Sequence, residues 1–157
     1  MVGPMASLSE DEKFMPQCLE LGRDAAREGE VPVGAIVLFG GEVLARGREA
    51  SRSSLDVTAH AEVMAIRQAA RAKGTVDLSG CTLYSNVEPC VLCSYAIRRS
   101  SFDRVVIGMP TAALGGVTSR YRILVAPELP GFGAPPIVVQ AVLLDECTAL
   151  MDKHMTG

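Results

Sequence analysis

Two short stretches of the chain combine metal-binding side chains with a carboxylate that could transfer protons. In the first, His60-Ala61-Glu62, an imidazole precedes a carboxylate by two residues. In the second, Pro89-Cys90-Val91-Leu92-Cys93, two thiols lie three residues apart. Imidazole nitrogen and thiolate sulfur are ligands that zinc prefers in proteins. The two stretches therefore predict a zinc site held by His60, Cys90 and Cys93, with Glu62 beside it.

The predicted elements place both stretches at the start of a helix. Proline is favoured at the first helical position, so Pro89 predicts a helix over about 89–99 with both cysteines in its opening turn. Residues three apart share a helix face, and thiols at the positive end of a helix have a lowered pKa. Inside a helix, residues two apart diverge by roughly 200°. His60 and Glu62 can therefore face one cavity only at the start of their predicted helix, 59–73.

Three protein ligands leave one zinc position free for water, which is typical of a catalytic site. Bound zinc lowers the pKa of water toward about 7, and a carboxylate that is not a ligand can accept the proton and return it to a leaving group. The alternative, a zinc-stabilised binding module without catalysis, needs a fourth protein ligand. No further Cys or His lies close in sequence to the three residues to supply it.

Composition fits a single catalytic domain spanning residues 1–157. The chain is 48% apolar but only 4% aromatic and has no tryptophan, which predicts an aliphatic core. No apolar run is long enough to cross a bilayer, and residues 1–9 lack the layout of a secretion signal. The five cysteines form no disulfide framework. We therefore expect a cytoplasmic protein with Cys18, Cys81 and Cys147 in the core.

Periodicity and turn residues predict alternating helices and strands, typical of one layered α/β domain. The predicted elements are a helix over 8–28 with a start or kink at Pro16, strands over 33–39 and 42–46, a helix over 59–73, a strand over 81–85, a helix over 89–99, strands over 104–108 and 137–144, and a helix over 145–154. Residues 47–57 and 109–136 are predicted as loops, and the second is long enough to be a lid or binding loop. Arg98 and Arg99 are predicted at a solvated helix end. Tyr121 and Phe132 fit either stacking on a flat substrate or simple packing.

The two motifs together resemble the signature of the cytidine-deaminase-like zinc deaminases, in which H-x-E is coupled to P-C-x-x-C. The segments Glu30–Ala35, Thr58–Glu62 and Val87–Cys90 are similar to those of tRNA-editing members. The branch concerned holds tRNA adenosine, cytosine and guanine deaminases, and the resemblance covers about residues 10–108. It implies a three-layer α/β/α fold with a five-stranded mixed sheet, usually in a dimer or higher oligomer, so we expect a homodimer.

The resemblance also implies a role for each site residue. Glu62 is expected to take a proton from the attacking water and to carry protons to the ring nitrogen and to departing ammonia. The backbone N–H of Cys90 would stabilise the oxyanion, and the backbone carbonyl of Glu88 would hold the amine. Val33, within the first similar segment, is expected among the substrate contacts.

One departure from the family pattern concerns the base. Glu49 stands where members of this branch carry an asparagine that grips the base. Asparagine donates and accepts hydrogen bonds, whereas an ionised glutamate only accepts. A pocket that uses Glu49 would favour a ring that presents N–H or amino donors and would repel the lone pair of a ring nitrogen, which argues against adenine and ordinary cytosine. A solvated loop glutamate is an equally good interpretation of this residue.

Other departures concern the size of the substrate. Residues 109–113 carry no charge, and residues 151–157 do not form the basic tail that tRNA enzymes often have. The net charge is −3 and few aromatic residues are present to stack on unpaired bases. We therefore predict a deaminase of a free nucleobase or related amino-substituted heterocycle (pyrimidine, purine or triazine-like), with nucleic acid an improbable partner. The alternative is a tRNA adenosine-to-inosine deaminase acting at the wobble position.

Overall fold

The structure, a computed structural model, describes residues 9–156. Its elements in chain order are α1 (Glu10–Arg27), β1 (Gly34–Phe39), β2 (Glu42–Arg48), α2 (Ala61–Lys73), β3 (Thr82–Val87), α3 (Val91–Ser100), β4 (Arg104–Met109), β5 (Ile137–Val139) and α4 (Leu144–Thr156). The predicted order of helices and strands is confirmed. No helix among these is both long and apolar enough to span a membrane.

The five strands form one mixed sheet in the order β2-β1-β3-β4-β5. β1 is antiparallel to both of its neighbours, β2 and β3. β3 and β4 are parallel to each other, as are β4 and β5. Because parallel strands end at the same edge of a sheet, the residues that follow β3 and β4 meet there. The predicted five-stranded mixed sheet is confirmed.

Alternate side chains of β1 enter two separate cores, which makes the fold a three-layer α/β/α sandwich. Ala35 and Val37 pack with buried side chains of α2 and α3, whereas Ile36 and Leu38 pack with those of α1 and α4. Period-two alternation of this kind is expected for a strand covered by helices on both faces. The core is aliphatic as predicted, apart from Tyr84 and Phe102. Cys18, Cys81 and Cys147 are fully buried in it, which confirms their predicted place.

Small residues bring α2 into direct contact with β2. A Cβ atom at Gly47 would lie 2.3 Å from the carbonyl oxygen of Ala61 and 2.5 Å from the backbone nitrogen of Ala65. The facing side of the helix is lined by alanines, so the backbones of helix and strand approach closely. This contact fixes the first turn of α2, where two of the predicted site residues lie.

Two predicted boundaries of α1 and β2 were wrong. Helix α1 does not start at Pro16 but at Glu10, where Ser9 and Glu12 form a reciprocal capping box. The predicted first residue, Leu8, lies outside the described residues. Strand β2 runs to Arg48, into the stretch predicted as a loop, because it stays paired with β1 as far as Gly34.

The last strand is much shorter than predicted. β5 ends at Val139 instead of extending to Leu144. Ala141 and Leu143 have φ angles of 64° and 51°, in the left-handed region that an extended strand cannot include. The chain turns there into α4, and the backbone N–H of Val142 donates to Ile107 at 3.1 Å.

A partly buried ion pair connects α1 to the sheet. Asp11 accepts hydrogen bonds from Arg104 at 2.8 and 2.5 Å and from the hydroxyl of Tyr84 at 2.6 Å. The Arg104 guanidinium lowers the pKa of Asp11 below its usual range. Asp11 is therefore charged and triply bonded at neutral pH, and it joins the helix to both β3 and β4.

We predict that Asp11→Ala lowers the free energy of unfolding by about 1–3 kcal/mol at neutral pH, because Arg104 and Tyr84 lose their partner. The folded-state pKa of Asp11 is depressed, so its contribution is present above the unfolded pKa of about 4 and disappears as the pH falls through the folded value. Urea unfolding of both proteins at neutral pH and at about pH 3 measures this. Glu20→Ala, in an exposed pair, is the control. A stability difference that does not shrink in acid contradicts the assignment.

Candidate metal centre and substrate pocket

The N-terminus of α2 positions His60 and Glu62. His60 is the N-cap residue, with extended backbone angles (φ −72°, ψ 151°) and no capping hydrogen bond from its side chain. Its ring is therefore free to point past the helix end. Glu62 lies in the first helical turn and is only 4% exposed. Because the backbone changes from extended to helical between them, both side chains face one pocket, as the sequence predicts.

The N-terminus of α3 positions the two cysteines. The helix begins at Val91 rather than at Pro89, and Cys90 is its N-cap residue in an extended conformation. The predicted start was wrong by two residues because Pro89 lies before the cap instead of inside the first turn. Cys93 is buried in that turn. Both sulfur atoms still lie at the positive end of the helix, as predicted.

His60, Cys90 and Cys93 converge on one point. The Nδ1 atom of His60 lies 3.4 Å from the sulfur of Cys90 and 3.4 Å from that of Cys93. With a Zn–S bond of about 2.3 Å and a Zn–N bond of about 2.0–2.1 Å, tetrahedral coordination puts nitrogen and sulfur about 3.5 Å apart. The donor types and their spacing therefore fit zinc. Within residues 9–156 no fourth His, Cys, Asp or Glu joins this group.

Hydrogen bonds within the trio prepare a thiolate. The thiol of Cys93, followed by the imidazole of His60, lowers the pKa of Cys90 to about 4. The sulfur of Cys90 in turn raises the pKa of His60 to about 9, and it raises the pKa of Cys93. Shared protons thus hold the three side chains together. A bound cation would take the place of these protons, because metal binding releases the protons of its ligands.

Burial dominates the electrostatics of Glu62. Loss of solvent raises the pKa of this carboxyl to about 7, with a further contribution from the neighbouring Cys90. A carboxyl group with this pKa changes protonation state easily near neutral pH. The group lies beside the metal-binding trio without belonging to it.

A cavity of about 220 Å³ opens directly onto these side chains. Its lining residues come from the segments that precede β1 and follow β2, β3 and β4, together with the starts of α2 and α3: Val31, Val33, Glu49, His60, Glu62, Val87, Glu88, Cys90 and Thr111. Every residue predicted to contact substrate is among them. Sequence reasoning missed Thr111. This residue closely follows the end of β4, just as Glu88 follows the end of β3. Its place after a parallel strand was the signal that could have identified it.

Glu49 is partly buried and lines the cavity. Its backbone N–H donates to the carbonyl of Val33 at 3.0 Å, which ties it to the other wall. The hydroxyl of Ser51 donates to its carboxylate. Part of the acceptor capacity of this carboxylate is therefore already used within the protein.

The long connection after β4 is held by two charged side chains from other elements. The carboxylate of Glu88 accepts hydrogen bonds from Thr111, Val117 and Thr118. The guanidinium of Arg98 donates to the carbonyls of Ile123, Ala126 and Gly133 at 2.9, 2.9 and 3.0 Å. The prediction of a solvated Arg98 was wrong because the loop folds over the helix end, leaving this residue 4% exposed.

The two aromatic residues of this connection are not among the residues that line the cavity. Phe132 packs edge-on against Tyr95 of α3, with ring centroids 5.6 Å apart, and the guanidinium of Arg99 lies 5.7 Å from its ring. Tyr121 is half exposed. Of the two alternatives, packing is what the structure shows for Phe132.

Comparison with known proteins assigns the class. A family model for the cytidine and deoxycytidylate deaminase zinc-binding region matches residues 8–109. A tRNA-specific adenosine deaminase of Aquifex aeolicus (strain VF5) is 40% identical over 118 residues, 75% of this chain and 78% of that protein. The chain belongs to this zinc-binding deaminase family. It is a zinc-dependent hydrolytic deaminase, as the paired motifs predict.

Two further relatives point in the same direction. A tRNA-specific adenosine deaminase of Bacillus subtilis (strain 168) is 33% identical over 144 residues, 92% of this chain and 88% of that protein. A solved structure from studies of A-to-I editing by tRNA:A34 deaminases at the wobble position of transfer RNA has a TM-score of 0.82 and 34% identity. The match covers 88% of this chain and 98% of that chain.

These relatives overturn the prediction of a free-base substrate and of nucleic acid as an improbable partner. The prediction failed because net charge is a sum over the chain and does not reveal local patches. Basic residues do cluster around a separate recess of about 370 Å³ between α1 and α4 (Arg23, Arg27, Lys153 and His154), where Arg23 and Arg27 also pair with Glu20 and Asp24. The prediction from Glu49 against adenine also runs counter to these relatives, which are named as adenosine deaminases.

We predict that Cys90→Ala weakens zinc binding by more than about 100-fold, since loss of even a hydrogen-bond partner of a ligand costs about 10- to 100-fold. Competition with a chromophoric chelator measures the affinity. Cys147→Ala makes the same chemical change at a buried position outside the trio and should leave the affinity unchanged. Equal zinc affinity in the wild type and in Cys90→Ala would remove this cysteine from the site.

Proposed function

We propose that this chain deaminates adenosine to inosine at the wobble position of a tRNA anticodon. The main support is its similarity to relatives named as tRNA-specific adenosine deaminases, which extends over the pocket-forming segments and most of the chain. An anticodon loop presents bases that are not paired in a duplex. Such a base can enter a deep pocket without the full cost of unstacking a helix.

In this proposal the Nδ1 atom of His60 and the sulfur atoms of Cys90 and Cys93 hold the zinc ion. Bound zinc polarises water and lowers its pKa toward about 7. The half-buried Cys90 lies at the cavity wall, whereas Cys93 is fully buried behind it. Substrate therefore approaches from the side of His60 and Cys90.

Glu62 is the proposed acid–base group. Hydrolytic deamination forms a C–O bond at C6 of adenine and breaks the bond between C6 and the amine, which leaves as ammonia. The carboxylate of Glu62 accepts the proton of the attacking water and carries protons to the ring nitrogen and to the departing amine. Its burial keeps bulk water away from these transfers.

The remaining pocket groups position the base in this proposal. The backbone carbonyl of Glu88 accepts one N–H of the amine, and the carboxylate of Glu49 accepts the other, since the amine carries the only N–H donors of adenine in a nucleotide. The backbone N–H of Cys90 stabilises the oxygen that develops at C6. Val33 supplies an apolar contact beside them, since it lines the same cavity.

We propose that residues 1–157 form a single catalytic domain and that the enzyme is a homodimer in the cytoplasm. The dimer is supported by two large apolar side chains that helix α3 exposes. Leu92 is 38% exposed and Tyr95 is 50% exposed. A tRNA substrate and five unpaired cysteines fit a reducing compartment.

We predict that Glu62→Gln lowers turnover by about 100- to 10,000-fold because it removes the proton carrier. Zinc content should be unchanged because Glu62 is not in the ligand trio. The assay measures inosine in an anticodon stem-loop RNA with adenosine at the first anticodon position, and Glu128→Gln, an exposed carboxylate, is the matched control. Ammonia release from free bases, with none from the RNA, would refute the proposed substrate.

We predict that Glu49→Ala lowers kcat/KM on the same RNA by about 10- to 100-fold, because a hydrogen bond to a charged group is lost. Glu49→Gln keeps a carbonyl oxygen as acceptor and should lie nearer to wild type. Ser51→Ala frees the carboxylate from its internal donor and serves as the control. Wild-type kinetics in Glu49→Ala would return this residue to the interpretation of a solvated loop glutamate.

A further inference from the structure

The carboxylate of Glu88 is directed into the connection that follows β4. It is 3% exposed, and no ion pair to a basic side chain is formed by it among the described residues. Its Oε1 accepts from the N–H of Thr111 at 2.9 Å and from the hydroxyl of Thr118 at 2.6 Å. Its Oε2 accepts from the N–H groups of Val117 and Thr118, both at 2.8 Å.

These four hydrogen bonds stabilise a buried charge without a counter-ion. All four partners are donors, three backbone N–H groups and one hydroxyl, so both oxygens of the carboxylate act only as acceptors, as those of an ionised carboxylate do. A buried carboxylate left without such partners costs several kcal/mol, so an ionised Glu88 requires the connection to stay in place.

Backbone hydrogen bonds also join residues 88–90 to the connection that follows β4. The N–H of Glu88 donates to the carbonyl of Met109 at 2.8 Å, and that of Gly116 donates to the carbonyl of Pro89 at 2.9 Å. Cys90 pairs with Gly115 in an isolated β-bridge. The connection is thus joined to the residues on both sides of the predicted amine-binding carbonyl.

Two glycines make this approach possible. A Cβ atom at Gly115 would lie 2.0 Å from Oε2 of Glu88, and one at Gly116 would lie 2.1 Å from the hydroxyl oxygen of Ser94. Side chains at these positions would push the connection away from the corner. Gly115 therefore allows the connection to approach the carboxylate of Glu88, and Gly116 allows it to approach α3 at Ser94.

We propose that the Glu88 side chain is a positioning residue of the deaminase. By holding residues 111–118, it places the Thr111 wall of the cavity, and it fixes the backbone of Glu88 and Cys90 beside the metal-binding trio. Misplacement of pocket groups by about 1 Å can cost about 100-fold in rate. The deaminase class is shown by the family, whereas the RNA assay used below rests on the proposed function.

The test compares Glu88→Gln with wild type in three measurements. The substituted amide side chain keeps one oxygen but presents an NH₂ group to the backbone donors. Amide hydrogen exchange should therefore speed up at Thr111, Val117 and Thr118, while amides of the central strands stay protected. Zinc stoichiometry should remain that of wild type. On the anticodon stem-loop, kcat should fall about 10- to 100-fold, with KM within about threefold because phosphate contacts dominate the affinity for nucleic acid.

Matched variants separate positioning from general stability. Thr118→Val removes one side-chain donor and keeps the three backbone donors, so it should show a smaller effect of the same kind. Glu88→Asp keeps the charge but shortens the side chain. It should therefore retain less of the wild-type kcat than Thr118→Val does. Wild-type kcat in Glu88→Gln, or a loss that matches loss of zinc or of folded protein, overturns the inference. The amide exchange rates test the positioning role of Glu88 without any substrate. If wild type does not turn over the RNA, that result refutes only the proposed function.

Discussion

The catalytic centre depends on two helices that begin beside each other at one edge of the sheet. His60 and Cys90 are the N-cap residues of α2 and α3, and their extended backbones direct both side chains beyond the helix ends. The positive ends of two helix dipoles favour thiolate and carboxylate groups at this point. The close contact between Gly47 and the first turn of α2 fixes one helix, and the end of β3 leads directly into the other.

Local signals account for what the sequence could predict. Strand alternation and helix starts are set by neighbouring residues, so the order of elements could be derived in advance. The three layers and the convergence of His60, Cys90 and Cys93 were expected from the paired motifs and the family resemblance that they carry. The connection over residues 109–136 could not. Its path is set by Glu88 and Arg98, which belong to other elements, and a buried arginine at a helix end has the same local pattern as a solvated one.

The substrate was mispredicted for a related reason. Its recognition depends on which side chains become neighbours, and composition records only how many there are. Lys153 and two arginines that also pair with acidic residues, Arg23 and Arg27, line one recess although the chain as a whole is acidic. Glu49 lines the pocket, but its partner Ser51 was not foreseen, because a bond between residues two apart depends on loop conformation.

The charges of the pocket limit which part of a polymer can enter it. Glu49, Glu62 and the thiolate of Cys90 line the cavity, and the carboxylate of Glu88 lies just behind its wall. Two positive charges on zinc would offset only part of this total. A phosphate would therefore be repelled, whereas a neutral base that presents N–H donors is accepted. In the proposed function, affinity for RNA comes from contacts outside the cavity, and the cavity itself contributes orientation and chemistry rather than binding strength.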